Sequence, residues 1–510
     1  EVSDEIPSMR KMMDEGLLGN KSEKGGFYRF KDPEDSTTRE TLDFNKFVYR
    51  KYNYSKPEIA VQAEMENDFT LLLESDDKYG RYAWEVLSKS LCYAADLVPE
   101  VNESLIAIDD AMKLGYNWIQ GPFEMIDSIG VNNFIKRLEK ENRSIPKILH
   151  VARNKSFYRI TDNKLQYLLA TGEYKNLKRE EGTRRFSEER RTKKPLFSNK
   201  VASYFEINDD IGMVEFHSKA NALDGESMKL LSDAIDHSET NHRGMVIHND
   251  ASHFSCGVNL ECIADFIEVC DWDGLDAFLE HFQKTVKKMK YSSIPVVSAP
   301  SGLSIGGGFE VVLHTDASIY HANSVTGLVE SLVGVVPGGG GVKEILYRWF
   351  DIKSNETEAA WKTFMNIGYG KTAQSPLQGQ ELAMFIEGRD EFVMNRDRLL
   401  DAAIIKVDHL KNNYSPTYRG DLSMPGRDIW EKMKEWLMGA HKKGFLTPHD
   451  VTTGTQIAMI VTGGDIDEGT IMDEDDIFGL ERKAFLSLAK TKKTKERIKH
   501  MLAYGKPLRN

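Results

Sequence analysis

Two glutamates and two glycine-rich runs lie close together in the chain. Gly306–Gly308 precede an apolar segment that contains Glu310, and Glu330 follows twenty residues later, before Pro337–Gly341. A carboxyl group among apolar side chains is either exposed on the far face of its helix or buried with a raised pKa. Two buried carboxyl groups could act as general acid and general base on a carbonyl compound, whereas an ordinary helix acid and a surface glutamate are the alternative.

The glycines at 306–308 lie at the mouth of the apolar segment, which has the composition of a buried helix. Backbone N–H groups in the first turn of a helix have no partner within the helix, and the helix dipole adds positive potential there. Glycine also lets another molecule approach the backbone closely. The run therefore predicts a place that can hold an oxyanion beside the two carboxyl groups.

Short strands alternate with helices around these residues. The predicted strands cover 202–207, 212–216, 244–248 and 295–299, and the predicted helices cover 227–235 and 275–289. Each strand is rich in Val, Ile, Phe or Tyr and is bounded by turn residues. This alternation is typical of an α/β domain. From about Ala359 onwards the apolar spacing becomes helical.

The chain before Val201 has a different pattern. Residues 1–170 show helical spacing of apolar residues, for example between Tyr82 and Ala95. Residues 171–200 include fifteen charged residues among thirty. A basic patch for a phosphate is one interpretation, but neighbouring acids largely neutralise the bases, so we expect a solvated interdomain linker.

Length and composition narrow the class of protein. A chain of 510 residues holds more than one domain, and 79 acidic against 67 basic residues disfavour a general nucleic-acid binder. It contains no run of 18 apolar residues, so no membrane span is expected, and residues 1–8 are too polar for a secretory signal. Four cysteines in a chain of this length are typical of a reducing compartment, so we expect a cytoplasmic protein.

The usual patterns for a metal or a nucleotide cofactor are missing from the sequence. Cys256, Cys262 and Cys270 do not have the paired spacing of metal ligands, so no metal site is predicted. No Gly-x-Gly-x-x-Gly sequence follows a predicted strand, so the sequence carries no dinucleotide-binding fingerprint. We therefore expect no cofactor in this chain.

The glutamate and glycine motifs resemble those of the crotonase (enoyl-CoA hydratase/isomerase) superfamily. In chain order, the motifs that carry the resemblance are Lys219–Leu223, Phe254–Leu260, Ile294–Val297, Gly306–Glu310, Gly327–Glu330 and Val336–Gly340. The resemblance implies a multidomain chain with an α/β crotonase (ββα spiral) fold over 201–350. It also implies a C-terminal helical region over 351–510 that covers an acyl-CoA site.

The same resemblance implies roles for individual residues. Glu310 and Glu330 are the implied catalytic pair, and the backbone N–H groups of Ser255 and Gly307 would hold the thioester oxygen. Asn259 departs from the superfamily, which usually has Asp at this position. The implied acyl-CoA-binding residues are Ala220, Ala222, Leu223, Gly257, Val258, Asn259, Leu260, Gly306, Gly308, Pro337 and Gly338.

The N-terminal third resembles the C-terminal repeats of the 3-hydroxyacyl-CoA dehydrogenases. Residues 6–28 resemble the end of a first, incomplete repeat and residues 110–130 resemble a second, with a plain helix bundle as the alternative. The chain then resembles fused fatty-acid β-oxidation enzymes, which implies an all-α dehydrogenase-type domain over 1–170. It further implies that a NAD-binding domain lies upstream of Glu1 in a longer protein, so no NAD-dependent step is expected from this chain alone.

Together these motifs predict that the chain hydrates trans-2-enoyl-CoA to 3-hydroxyacyl-CoA, because two glutamates favour hydration over isomerisation within the superfamily. A 3,2-enoyl-CoA isomerase or a 3-hydroxyacyl-CoA epimerase on the same fold is the first alternative. A non-catalytic scaffold that binds acyl-CoA or a thiolase is the second. We expect acyl-CoA thioesters as substrates, a homo-oligomer, and a thiolase as a candidate partner.

Overall fold

The computed structural model describes residues 6–32, 38–53, 55–66, 68–116 and 118–510. The chain divides into two compact units, of which the first comprises residues 1–159 and 166–176 and the second comprises residues 160–165 and 177–510. Residues 1–5 of the polar N-terminal stretch lie outside the described residues. Among the described residues, no helix is long and apolar enough to cross a membrane.

The first unit contains helices and two small antiparallel sheets. Its elements are α1 (Pro7–Asp14), β1 (Tyr28–Phe30), β2 (Arg39–Asp43), β3 (Val48–Lys51), α2 (Glu58–Met65), α3 (Thr70–Glu74), α4 (Lys78–Asp96), α5 (Leu105–Tyr116), α6 (Pro122–Ile129), α7 (Val131–Lys140), α8 (Lys147–Val151), β4 (Tyr158–Thr161), β5 (Lys164–Leu168) and β6 (Tyr174–Asn176). The strands pair in the orders β1-β2-β3 and β4-β5-β6. A few residues of the second hairpin, 160–165, group with the second unit.

The strands of the first unit differ from the all-helical prediction for residues 1–170. The sheet of β1, β2 and β3 falls in a polar stretch with few apolar side chains, so no alternating hydrophobic pattern marks it. Arginine guanidinium groups stacked on tyrosine rings stabilise this sheet instead. The Arg39 guanidinium lies 4.1 Å from the ring centre of Tyr28 and 4.5 Å from that of Tyr52, and the Arg29 guanidinium lies 4.0 Å from the ring of Tyr49.

The predicted linker over 171–200 also differs from the structure, because residues 177–200 are packed into the second unit. Phe186 is fully buried with its ring 4.7 Å from that of Phe205, and Arg185 donates to Asp397 at 2.6 Å. The charges that indicated a solvated segment are paired at short range, as in the 2.5 Å contact between Arg179 and Glu188. A high content of charged residues therefore did not mean exposure.

The second unit carries most of the regular structure. Its elements are α9 (Phe186–Glu189), β7 (Phe197–Ser198), β8 (Ala202–Asn208), β9 (Ile211–Phe216), α10 (Gly225–Asn241), β10 (Gly244–His248), α11 (Leu260–Glu268), α12 (Trp272–Lys290), β11 (Val296–Ala299), β12 (Leu303–Ile305), α13 (Gly307–Leu313), β13 (Ala317–His321), β14 (Val325–Gly327), α14 (Gly341–Lys353), α15 (Glu356–Gly368), β15 (Thr372–Ala373), α16 (Pro376–Glu381), β16 (Glu391–Val393), α17 (Leu399–Leu410), β17 (Leu422–Met424), α18 (Gly426–Lys442), α19 (Pro448–Thr462), β18 (Thr470–Met472), α20 (Glu474–Ala489) and α21 (Lys492–Tyr504). Short 3-10 helices occur at Lys219–Asn221, Glu330–Val333 and Arg396–Arg398.

The chain of the second unit winds as repeated strand–strand–helix turns. Seven strands form one sheet in the order β16-β13-β11-β10-β9-β8-β7, in which β9, β10, β11, β13 and β16 run parallel. After β11 and again after β13, the chain adds a strand to a second sheet, where β12 and β14 pair in parallel, and then enters a helix. This arrangement agrees with the predicted α/β, ββα architecture, and it places α13 and the 3-10 helix at 330–333 directly after the second sheet.

Candidate active site

An apolar cavity of about 180 Å³ lies where α13 begins. Both predicted catalytic glutamates line it. Its apolar walls come from α11, α12, α20, α21 and the segment on either side of Glu330, and they are formed by Ile263, Phe278, Leu279, Phe282, Val329, Leu332, Val333, Val335, Phe485, Ile498 and Met501. A mostly apolar cavity with two convergent acidic groups is the usual composition of a site for a small organic substrate.

Glu310 lies in the first turn of α13 and is buried, with 2 % of its surface exposed. Its Oε1 atom accepts hydrogen bonds from the N–H groups of Gly339 and Gly341, each at 2.8 Å. Burial raises the pKa of Glu310 to about 7, although the two N–H donors act in the opposite direction. This carboxyl group can therefore gain or lose a proton near neutral pH.

Glu330 opens the 3-10 helix after β14 and has a different environment. Both carboxyl oxygens are buried, and among the described residues neither has a hydrogen-bond partner. Burial raises the pKa of Glu330 well above its usual value, and the charge of Glu310 raises it further. Because its oxygens lack the two backbone hydrogen bonds that Glu310 accepts, and because the net effect of its surroundings is to raise its pKa further, Glu330 is the member of the pair that keeps its proton.

The backbone donors beside the pair are only partly those that the sequence predicted. Gly307 is the first residue of α13, and its N–H group has no acceptor among the described residues. The N–H group of Ser255, in contrast, donates to the carbonyl oxygen of Leu303 at 3.0 Å. The prediction that Ser255 supplies an oxyanion donor is therefore corrected, since its hydrogen is already used.

Val258 offers the free donor that Ser255 does not. Its N–H group has no acceptor in the part of the chain that the structure describes. A β-carbon built on Gly307 would lie 3.4 Å from the Val258 nitrogen, so the two backbone segments face each other across a short gap. Two unpaired N–H groups on neighbouring backbone segments are the kind of donors that an oxyanion site requires. The resemblance in sequence implies only acyl-CoA binding for Val258.

The glycine run is required by close packing around these donors. Gly306 has a φ of +54°, in the left-handed region that favours glycine. A β-carbon on Gly307 would lie 2.7 Å from Cγ2 of Val258, and one on Gly308 would lie 2.5 Å from Cβ of Ser255. Side chains at these positions would push α13 away from the loop that carries Val258.

The predicted acyl-CoA-binding residues divide into two groups. Those that line the cavity are Gly257, Val258, Leu260, Gly306 and Gly338. Those that do not line it are Ala220, Ala222, Leu223, Asn259, Gly308 and Pro337. Asn259 has a structural role, because its side chain accepts from the N–H group of Glu261 at 3.0 Å and caps α11.

Sequence reasoning missed the residues that close the cavity from the C-terminal region. Phe485 of α20 and Ile498 and Met501 of α21 line it. The resemblance implied that the C-terminal helical region over 351–510 covers the site, but the helical spacing did not indicate which of its residues do so. Among the described residues, no group of three or more His, Cys, Asp or Glu side chains could hold a metal ion.

Two known proteins are similar in sequence to nearly the whole of this chain. The chain is 33% identical over 99% of its length to a protein of Bacillus subtilis called "Probable 3-hydroxyacyl-CoA dehydrogenase". It is 27% identical over 97% of its length to a "Putative fatty acid oxidation complex trifunctional enzyme" of Rickettsia felis. The chain spans 64% and 62% of the length of these two relatives.

Solved structures give a weaker likeness. An enoyl-CoA hydratase from Bacillus halodurans matches 58% of this chain and 97% of its own, at 17% identity and a TM-score of 0.41. The model of the family described as "Enoyl-CoA hydratase/isomerase" matches residues 206–353. The segment that carries Glu310, Glu330 and the glycine run therefore lies inside the stretch of this chain, residues 206–353, that is similar to the enoyl-CoA hydratase/isomerase family.

Proposed function

We propose that this chain hydrates trans-2-enoyl-CoA thioesters to 3-hydroxyacyl-CoA. The observation that carries the proposal is the unequal environment of the two glutamates in one apolar cavity. Glu310 accepts two backbone N–H bonds, whereas Glu330 accepts none among the described residues. Such a pair provides one ionised and one protonated carboxyl group at the same pH, as addition of water across a double bond requires.

In the proposed reaction, the N–H groups of Val258 and Gly307 hold the thioester oxygen. The Glu310 carboxylate takes a proton from water as the water oxygen bonds to C3. The electrons of the C2=C3 bond move into the thioester as an enolate, whose oxygen the two N–H groups stabilise. Loss of one such donor typically costs about 3–4 kcal/mol. Glu330 then gives its proton to C2, so the product has gained the elements of one water molecule. The proton that Glu310 took from water passes to Glu330 and restores the pair.

The wider biological setting belongs to the same proposal. The names of the relatives support a role in fatty-acid β-oxidation, in which a dehydrogenase part of a longer protein would use NAD to oxidise the 3-hydroxyacyl-CoA product. The N-terminal unit would then be the dehydrogenase-type helical domain. A homo-oligomer, a thiolase partner and a cytoplasmic location stay predictions.

The experiment is a spectrophotometric assay of crotonyl-CoA hydration by the chain, with Glu310→Gln and Glu330→Gln as variants and NAD⁺ added last. Rapid loss of the enoyl-thioester absorbance with the unsubstituted chain would support the proposal, provided that the rate is at least about 100-fold lower with both variants. No hydration of crotonyl-CoA or of longer enoyl-CoAs by the folded chain would refute it. Activity on a 3-enoyl-CoA without hydration would favour the isomerase instead.

A further inference from the structure

A third buried glutamate contacts the same glycine turn as Glu310 from the opposite side. Glu481 lies on α20 and has no exposed surface. Its Oε2 atom accepts from the N–H group of Gly340 at 2.8 Å, and its Oε1 atom accepts from that of Lys343 at 2.7 Å. The substrate cavity includes its neighbour Phe485, one turn further along α20, but not Glu481.

The N–H groups at the start of α14 are divided between the two glutamates. Gly339 and Gly341 donate to Glu310, whereas Gly340 and Lys343 donate to Glu481. Each carboxyl group thus takes two of four N–H groups at the positive end of one helix. The turn is held between the two acids, so a displacement toward or away from α20 changes the hydrogen bonds of Glu310.

Other contacts hold the same turn without using its backbone N–H groups. The Gln283 side chain of α12 donates to the carbonyl oxygens of Gly338 and Phe478. A β-carbon on Gly340 would lie 2.6 Å from the Phe478 ring, so the turn and α20 are in close contact. Glu481 is therefore the one carboxyl group of α20 that aligns the backbone donors of this turn in the described structure.

We infer that Glu481 is a positioning residue for the catalytic pair, and this inference rests on the proposed function. Glu481 holds the 339–343 backbone in the orientation in which Gly339 and Gly341 donate to Glu310. In this way it keeps Glu310 ionisable as the base while Glu330 retains its proton. The C-terminal helical region thereby takes part in the reaction as well as in closing the cavity.

The charged groups around Glu481 and Glu310 define what a pH measurement can report. His314 directly follows α13, which carries Glu310. Burial lowers the pKa of His314 well below its usual value, so its ring is neutral. On α14, the Lys343 ammonium pairs with Glu344 at 2.7 Å and also with Glu474 of α20.

Lys290 of α12 pairs with Glu344, and burial lowers the pKa of Lys290 to about 7. The charges of Glu310 and Glu481 both raise the pKa of the remaining acid, Glu330. Burial and the charge of Glu310 also raise the pKa of Glu481 well above its usual value, whereas the N–H groups of Lys343 and Gly340 act in the opposite direction. Both lysines therefore have other carboxylate partners, and the interaction of Glu481 with the turn is through its backbone N–H bonds.

The variant Glu481→Gln separates positioning from charge. Its amide has one acceptor oxygen, and its NH₂ group would face the other N–H donor, so the turn loses a hydrogen bond. A displaced turn would withdraw the N–H groups that lower the pKa of Glu310, so the acid limb of kcat/KM would move to higher pH. Removal of a negative charge alone would move that limb to lower pH, and replacement of a neutral carboxyl group without displacement of the turn would leave the limb unchanged.

We expect Glu481→Gln to lower kcat about tenfold or more with KM within about threefold, because small misplacement of a catalytic group is costly. Its acid limb should rise by about half a pH unit or more. Amide hydrogen exchange of peptides across 337–346, followed by mass spectrometry, should accelerate about tenfold. The control Glu474→Gln loses a partner of the Lys343 side chain but no backbone N–H bond, and should leave these three quantities near the unsubstituted values.

An acid limb that is unchanged or lower in Glu481→Gln, or unchanged exchange across 337–346, would overturn the inference. Should that variant not fold, Glu481→Asp carries the same measurements, because its shorter side chain draws both oxygens away from the N–H groups. An unsubstituted chain without hydratase activity would instead refute the proposed function, and the exchange measurement would still decide whether Glu481 holds the turn.

Discussion

Replacement of Glu310 by Gln should make the protein more stable while it removes most of the activity. The Oε1 atom of Glu310 accepts both N–H bonds, so an amide oxygen in the same place can keep them. What the substitution removes is the burial of a negative charge. The pKa of Glu310 rises from 4.5 to about 7 on folding, so ionisation of this group destabilises the folded state.

The magnitude follows from that rise and from about 1.4 kcal/mol per pKa unit, which gives about 3 kcal/mol at pH 8. The destabilisation is absent below pH 4.5, where the folded and unfolded chains are both protonated. It grows as pH rises to about 7 and is constant above that. For a unit of this size, about 3 kcal/mol corresponds to a rise of roughly 4 °C in Tm.

The assay compares the Tm of Glu310→Gln with that of the unsubstituted chain at pH 8 and at pH 4.5, beside the rate of crotonyl-CoA hydration. We expect a higher Tm at pH 8, little difference at pH 4.5, and a rate lower by about 10²–10⁴-fold. The control Glu261→Gln alters an exposed glutamate in the first turn of α11, so it should lower the Tm by no more than about 1.5 °C and leave the rate unchanged. A lower Tm for Glu310→Gln at pH 8 would refute the reasoning, because it would mean that the charge of Glu310 stabilises the fold.

Three further predictions concern the same cavity. The pH profile of kcat/KM should be bell-shaped, with an acid limb near pH 7 as Glu310 gains its proton and an alkaline limb as Glu330 loses its own; a flat profile between pH 6 and 8 would contradict this. Gly308→Ala should lower the hydration rate about 10²–10³-fold, because its Cβ would lie 2.5 Å from Cβ of Ser255 and displace α13; an unchanged rate would show that the contact is easily relieved. Asn259→Asp should keep the cap of α11, leave the rate within about twofold and stabilise the protein by roughly 0.5 kcal/mol; a large loss of activity would show that Asn259 contributes more than a cap.

Much of the site could be predicted from the sequence because its motifs are local. The glycines at 306–308 and the acid at Glu310 share one helix start, and the physical chemistry of a helix start depends on neighbouring residues alone. The position of Glu330 after a short strand is likewise a local feature of the sequence. The alternating strands and helices after Val201 likewise gave the α/β class, which the fold and the family match support.

The parts that sequence reasoning missed depend on contacts between distant segments. The N–H group of Ser255 is occupied by the carbonyl oxygen of Leu303, which lies far along the chain, so Ser255 cannot be told from Val258 as a donor by local sequence. The role of Glu481 depends on how α20 meets a turn that precedes it by about 140 residues. The segment predicted as a solvated linker, 171–200, has its residues 177–200 within the second unit, because charge content does not distinguish a solvated segment from one with paired ions.

The most direct test of the central claim follows the oxygen atom. A trans-2-enoyl-CoA is incubated with the chain in H₂¹⁸O, and the product is analysed by mass spectrometry for the unsubstituted protein, Glu310→Gln and Glu330→Gln. The account predicts a 3-hydroxyacyl-CoA with one ¹⁸O atom, formed by the unsubstituted protein and at least about 100-fold more slowly by both variants. Two results would contradict this prediction. One is recovery of unreacted, unlabelled enoyl-CoA from the unsubstituted protein, and the other is formation of labelled product at equal rates by all three proteins.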